Sequence, residues 1–239
     1  MDRPITLVTG VSRGIGLAIA QEMTRQEHHV VGLARTKPLG FEGTFFAVDL
    51  SNAEAAAAAL ATATRQFEIL RLVNNAGMAR MGASETFSLA DYEAMMTLNV
   101  RAVMQCCQAV LPGMRQANFG RIVNIGSRAA QGKEGRMIYG ATKAAVLSMT
   151  RSLALDYARH GITVNCIAPG PIETDMIRIN YPVGSDSRRD LTKQVPAGRF
   201  GQPQEVAHAC AYFLSDEAAY TTGQVLYVCG GLSVGRVPV

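Results

Sequence analysis

Tyr139 and Lys143 stand four residues apart in the stretch Met137-Ile-Tyr-Gly-Ala-Thr-Lys143. On a helix this spacing puts both side chains on one face. An ammonium beside a phenol eases ionisation of the phenol, so the pair can give a proton to an oxygen or take one away. Far upstream, Thr9-Gly-Val-Ser-Arg-Gly-Ile-Gly16 lies between an apolar run and a helical one. Gly10, Gly14 and Gly16, with Ser12, Arg13 and Ile15 between them, permit a tight turn and close backbone approach. A helix that opens on such a turn offers its N-terminus to a pyrophosphate. The two stretches together describe a dinucleotide site with a proton donor for an oxygen. That is the chemistry of a carbonyl–alcohol interconversion.

The end of the second apolar run should meet the adenosine ribose. Folds that prefer NAD place an acid there to bond the 2′-hydroxyl. Here the stretch reads Leu33-Ala34-Arg35, with no acid. Arg13 and Arg35 could clamp a 2′-phosphate between two guanidinium groups, which favours NADP(H).

The elements that must position these residues are short apolar strands alternating with longer helical stretches. Strands are expected at about 5–8, 30–33, 44–48, 70–73, 121–125, 162–167 and 225–228. Helices are expected at about 14–26, 52–66, 89–114 and 137–159, the third with a possible break at Pro112. This alternation predicts an α/β fold: one doubly wound, seven-stranded parallel sheet (a Rossmann fold) with helices on both faces. The whole chain, 1–239, reads as one dinucleotide-binding and catalytic domain. The irregular stretch at about 176–200 reads as a lid over the substrate.

Composition narrows the function classes. The 239 residues are 48% hydrophobic, enough for one large core. A net charge of +4 with no long basic run, no Trp and few aromatics argues against nucleic acid as a partner. Five scattered Cys with no CxxC fit a reducing compartment, so a cytoplasmic location is expected. The four His show no metal-ligand spacing, and no run suggests a membrane span.

Thr9–Gly16, Asn74-Asn-Ala-Gly77, Asn99, Ser127, Tyr139-x-x-x-Lys143 and Pro169-Gly170 occur in this order over essentially the whole chain. The ordered set resembles the short-chain dehydrogenase/reductase family. The stretches 161–165, 171–176, 195–199 and 215–219 are most similar to its 3-oxoacyl-[acyl-carrier-protein] reductases. The resemblance implies Tyr139 as general acid in reduction and base in oxidation. A free phenol has a pKa of about 10 and needs electrostatic help at neutral pH. Lys143 would supply it and also bond the nicotinamide ribose. Ser127 would hold the substrate oxygen, and Asn99 would anchor a water that links Lys143 to solvent. Asp49 and Leu50 would border the adenine. Asn75, Ala76 and Gly77 would pass under the adenosine, and Pro169, Gly170, Ile172 and Thr174 would hold the nicotinamide carboxamide.

The same resemblance implies a 3-oxoacyl thioester substrate, an acyl carrier protein as a possible partner, and a homotetramer. Carrier docking would use Arg121, with His160 where a second Arg is usual. The tetramer would pair the helices at 89–114 and 137–159 through Val103, Cys106, Ala109, Val110, Leu147, Leu153 and Leu155. The tail 225–239 would form a second interface. The loop 128–136 is unusually charged for a substrate wall, and Arg128 there could bind a carboxylate or phosphate. A solvated loop with a Lys133–Glu134 contact explains the same residues. A different small or aromatic ketone or secondary alcohol is the competing substrate class. A nucleotide-bound member without catalysis is a third reading, opposed by the intact Asn99, Ser127, Tyr139 and Lys143.

Overall fold

A computed structural model describes residues 3–235. Seven strands form one parallel sheet: β1 (Ile5–Thr9), β2 (His29–Ala34), β3 (Thr44–Ala47), β4 (Arg71–Asn74), β5 (Gly120–Ile125), β6 (Ile162–Pro169) and β7 (Val225–Val228). Their order is β3-β2-β1-β4-β5-β6-β7, so the winding reverses between β1 and β4. Both faces of the central strands are covered, which is why those strands read as unbroken apolar runs rather than alternating ones. Successive side chains still alternate between two cores. Leu7, Leu33, Leu72, Ile122 and Val164 enter one, packed under α2 (Ala53–Gln66), α4 (Ala102–Ala117) and α5 (Met137–Tyr157). Val8, Ala34, Val73, Val123 and Ile167 enter the other, under α1 (Gly14–Arg25) and α8 (Pro203–Leu214).

Three expectations from the sequence need correction. First, the long helix does not break at Pro112. It is interrupted earlier, where α3 (Leu89–Met96) passes through a π-helical turn at Thr97–Arg101 before α4 runs on through Pro112 to Ala117. Second, the stretch at 176–200 is more regular than its composition suggests. It carries α6 (Asp175–Asn180) and α7 (Asp186–Gln194), capped by the hydroxyls of Thr174 and Ser185. Third, most of the apolar residues assigned to subunit pairing are intrachain core. Val103, Cys106, Val110 and Leu147 are buried, and Ala109 and Leu153 pack against them. Of the seven, Leu155 alone stands free, at 83% exposure. The sheet needs a full apolar layer on that face, and α4 and α5 supply it. The end of the expected second interface, 236–239, lies outside the described residues.

Among the described residues, no helix is long and apolar enough to cross a membrane. All five cysteines are free and buried.

Candidate active site

The C-terminal ends of β1 and β4 flank the point where the sheet reverses direction, and open α/β sheets bind ligands there. A cleft of about 910 Å3 opens at this point. Its floor is tightly tied. Thr9, the last residue of β1, accepts through Oγ1 from the backbone N–H groups of Asn75 (2.9 Å) and Ala76 (3.0 Å). Asn75 returns its amide Nδ2 to the carbonyls of Thr9 (3.0 Å) and Gly10 (3.2 Å). The glycine turn is thus stitched to the end of β4. Gly10 and Gly14 have φ of +72° and +58°, in the left-handed region that favours glycine.

Gly16 has a different task from the one its motif suggests. It does not line the cleft. A Cβ there would sit 2.2 Å from the Gly10 carbonyl oxygen and 2.4 Å from Asn75 Nδ2. Its lack of a side chain lets α1 pack against the turn. Arg13, the residue before α1, makes no side-chain cap, and the first turn carries no acid. The free N–H groups of that turn therefore face the cleft as an anion site.

Ser12, Arg13, Gly14, Ile15, Arg35, Asp49 and Leu50 also line this end of the cleft. Arg13 lies 3.7 Å from Asp175, so its guanidinium has an acidic neighbour that a bound phosphate would have to outcompete. Asp49 accepts from the N–H and hydroxyl of Ser51 at 2.9 and 2.7 Å. These bonds, aided by Arg35, hold its carboxyl below the usual range. The cap of α2 is Asn52, whose side chain accepts from Ala55 N–H.

At the other end stand Tyr139, Lys143 and Ser127, all lining the cleft. α5 places Lys143 Nζ 5.9 Å from the centre of the Tyr139 ring. Lys143 is buried and donates to the carbonyl oxygen of Ile125 at 2.7 Å, leaving two hydrogens for a ligand. Ser127 accepts from Ala129 N–H at 3.1 Å. Its hydroxyl hydrogen and the Tyr139 phenol have no partner among the described residues, so both are available to a substrate oxygen. Pro169 and Gly170 close this end where β6 finishes, with Gly170 N–H bonded to Val228 at 2.9 Å. Ile172 and Thr174 line the adjoining wall, where Thr174 packs against Gly14.

Asn99 is placed behind the cleft rather than in it, with no exposed surface. The π-helical turn aims its amide at the strand exit: Oδ1 accepts from Met78 N–H at 2.8 Å, and Nδ2 donates to the Met78 carbonyl at 2.8 Å. Nδ2 also donates to Thr142 Oγ1 at 3.0 Å, and that hydroxyl donates to the Tyr139 carbonyl at 2.8 Å. Asn99 therefore joins the β4 exit to the turn of α5 that carries Tyr139. Gly77 sits between, where a Cβ would come within 3.1 Å of Asn99 Oδ1 and 3.6 Å of Lys143 Nζ. Sequence reasoning missed Thr9 and Thr142, whose hydroxyls complete these links. A threonine closing the first strand and another one residue before the lysine were the available signals.

The charged loop 128–136 borders Tyr139 as expected, but Lys133 does not pair with Glu134. Its ammonium faces the Tyr181 ring at 5.8 Å. Arg121 and His160 are likewise not at the cleft. Within one chain they lie at the opposite end of the strands, at the starts of β5 and β6. Arg121 is buried, bonded to the carbonyls of Ser215, Gly120 and Gly161, and stacked on Phe119.

A doubly wound parallel sheet with a glycine turn at its switch point and a Tyr–Lys pair beside a serine defines a nucleotide-dependent oxidoreductase. A family model described as enoyl-(acyl carrier protein) reductase matches residues 10–233. The 3-oxoacyl-[acyl-carrier-protein] reductase of Vibrio cholerae is 38% identical over 97% of this chain and 98% of its own. The actinorhodin polyketide ketoreductase, solved with NADPH, superposes with a TM-score of 0.91 at 32% identity, covering 98% of each chain. A 3-oxoacyl (acyl-carrier-protein) reductase of Agrobacterium tumefaciens C58 with NADP bound gives 0.87 at 28% identity, over 95% of this chain and 93% of that one. The chain belongs to the short-chain dehydrogenase/reductase family and is an oxidoreductase.

Proposed function

We propose that the protein is an NADPH-dependent carbonyl reductase whose first substrate class is the 3-oxoacyl thioester. The observation that carries the reductase reading is the convergence of three side chains on one wall: the unpartnered Tyr139 phenol, the Ser127 hydroxyl, and Lys143 with two hydrogens to spare. Tyr139 would give its proton to the carbonyl oxygen, and the nicotinamide, when bound, would supply the hydride. Ser127 donates a hydrogen bond to the same oxygen. Lys143 stabilises the phenolate left behind and holds the nicotinamide ribose. Asn99 is a positioning residue for this set, and the water it would anchor enters beside Gly77.

NADP(H) suits the adenosine end. Arg13 and Arg35 are cationic, Asp49 at the end of the strand is committed to Ser51, and Asp175 beside Arg13 would have to yield to a phosphate. The free N–H groups of α1 would hold the pyrophosphate, and Asn75, Ala76, Gly77 and Lys143 would border the rest of the cofactor. The thioester reading is supported by the names of the relatives. The competing reading, a small ketone of another kind, is favoured by the cationic substrate wall. We further propose the stretch at 176–200 as a substrate lid, since Met176, Ile177 and Leu191 border the cleft, within one catalytic domain over 1–239. A cytoplasmic homotetramer is proposed, with Leu155 on its surface.

The test is a screen of 3-oxoacyl thioesters against a panel of ketones, with NADPH and with NADH. The reading expects NADPH-dependent turnover, fastest with a thioester. Turnover of a simple ketone alone would replace the substrate class. No oxidation of NADPH by any activated ketone would sink the reductase reading.

A further inference from the structure

Of the cations that line the cleft, Arg35 stands at the adenosine end and Lys143 donates to Ile125, while the rest fall into two groups. Arg13 and Arg80 each have a carboxylate at hand, from Asp175 and Asp91. Arg128, Lys133 and Arg136 line the same cleft around Tyr139 and make no ion pair and no side-chain hydrogen bond among the described residues. Arg136 is the sharpest case. It is 8% exposed, and its guanidinium carbon lies 5.8 Å from the Tyr139 ring centre. Its guanidinium nitrogens are not sealed from solvent, so its five N–H donors open toward the cleft and stand ready for an acceptor. The loop is not loosely draped, because Arg136 N–H bonds the Lys133 carbonyl at 3.2 Å and Gly82 N–H bonds that of Gly135 at 3.2 Å. The cations are therefore kept together in spite of their repulsion. Burial, then Arg136 and Arg128, pushes the Lys133 ammonium down to about 8. Glu134, within the loop, and Glu93, on α3 and lining the same cleft, are both exposed and pair with none of the three.

We propose that Arg128, Lys133 and Arg136 form a recess for an anionic group of the substrate itself, a carboxylate carried within a few bonds of the carbonyl that Tyr139 protonates. The inference rests on the reductase reading and deepens its competing small-ketone form, whose substrate class it names as a short oxo acid. A guanidinium takes a carboxylate with two parallel hydrogen bonds, and Arg136 and the Tyr139 ring are close enough to serve one small molecule. A phosphate at the far end of a pantetheine arm lies too distant from the thioester carbonyl to reach the same recess. The site thus suits a short oxo acid better than a carrier-bound chain.

Two pairs of ketones separate the sources of charge. Acetoacetate and methyl acetoacetate share a ketone and differ by one carboxylate. Acetoacetyl-CoA and acetoacetyl-N-acetylcysteamine share a thioester and differ by the phosphates. The wild-type enzyme is expected to prefer acetoacetate to its ester by about tenfold or more in kcat/KM. Arg136→Gln, and independently Arg128→Gln, should shrink that ratio toward one, mostly through KM. Equal use of acid and ester by the wild type overturns the proposal. So does an equal loss for both in the variants, which would assign the cations to structure. A preference confined to the coenzyme A thioester overturns the carboxylate in favour of a phosphate. If no ketone is reduced, the reductase reading fails by itself, and calorimetric titration of the NADP+ complex with malonate decides the recess. Binding that is lost in Arg136→Gln upholds it, and no binding by the wild type overturns it.

Discussion

The two ends of the cleft are built differently. At the nucleotide end, Thr9, Gly10, Gly16 and Asn75 are locked by backbone contacts with no spare volume, and Asn99 clamps Met78 to Thr142. At the substrate end, the walls are a charged loop and two short helices. Those helices are held from outside by Glu173, which receives Arg178 at 2.9 Å and also Arg188. The first end is fixed by shape, the second by charge. A cofactor common to a family can be met by rigid backbone, whereas a particular substrate is met by side chains that vary without disturbing the sheet.

The contrast can be broken at its centre, where the largest effect is expected. Tyr139→Phe keeps the ring and its packing but removes the transferable proton. Turnover should fall about 10²–10⁴-fold with little change in NADPH affinity, read by steady-state kinetics and fluorescence titration. A variant that keeps most of its activity would remove Tyr139 from the mechanism.

Charge also enters the nucleotide end, at its rim. Replacing Arg13 and Arg35 together by Gln should weaken NADPH binding by about tenfold or more while NADH binding barely changes. Asp175→Asn should act in the opposite direction, because it frees Arg13 from its 3.7 Å neighbour. Equal affinity of the wild type for the two cofactors would defeat the assignment.

The rigid end can be probed by a single methyl group. Gly16→Ala drives a Cβ to within 2.2 Å of the Gly10 carbonyl oxygen, a backbone atom that cannot swing aside. Overpacking of this kind costs about 1–3 kcal/mol. The expected readout is a Tm lower by roughly 2–4 °C per kcal/mol, together with weaker nucleotide binding. At the substrate end, an added Cβ at Gly132 meets nothing within 4 Å, so any cost of Gly132→Ala comes from its φ of +96° alone and should leave nucleotide binding unchanged.

The smallest expected effect belongs to Lys133, which faces Arg128, Arg136 and the Tyr181 ring. Its ammonium, pushed down to about 8, is charged below that pH and loses its proton above it. The ratio of kcat/KM for acetoacetate to that for methyl acetoacetate should therefore decline a few-fold as pH rises from about 7 to 9. The ester corrects for titration of the reaction itself. Lys133→Met should flatten the profile, and a ratio that holds steady across this range in the wild type would take Lys133 out of the recess.

Much of this was legible before folding was considered. Seven apolar runs separated by helical stretches determine a parallel sheet, because no other arrangement buries strands on both faces at once. The glycine spacing after the first run, the missing acid beyond the second and the four-residue step from Tyr139 to Lys143 mark a nucleotide site, since each depends on local geometry alone. Tertiary structure decided what depends on neighbours distant in sequence. It moved Gly16 and Asn99 out of the cleft and into its supports, because their contacts are with Gly10, Met78 and Thr142 across the sheet edge. It buried Val103, Cys106, Val110 and Leu147 inside the chain, since one helix pattern serves a core or an interface equally well. Arg121 passed from a docking cation to a buried bonding hub, because the start of β5 lies at the end of the strands opposite the cleft. The loop 128–136 shows the limit most plainly: its sequence reads equally as a wall where Arg128 binds an anion or as a solvated turn with Lys133 beside Glu134, and only the packing around it leaves its three cations without an ion pair among the described residues.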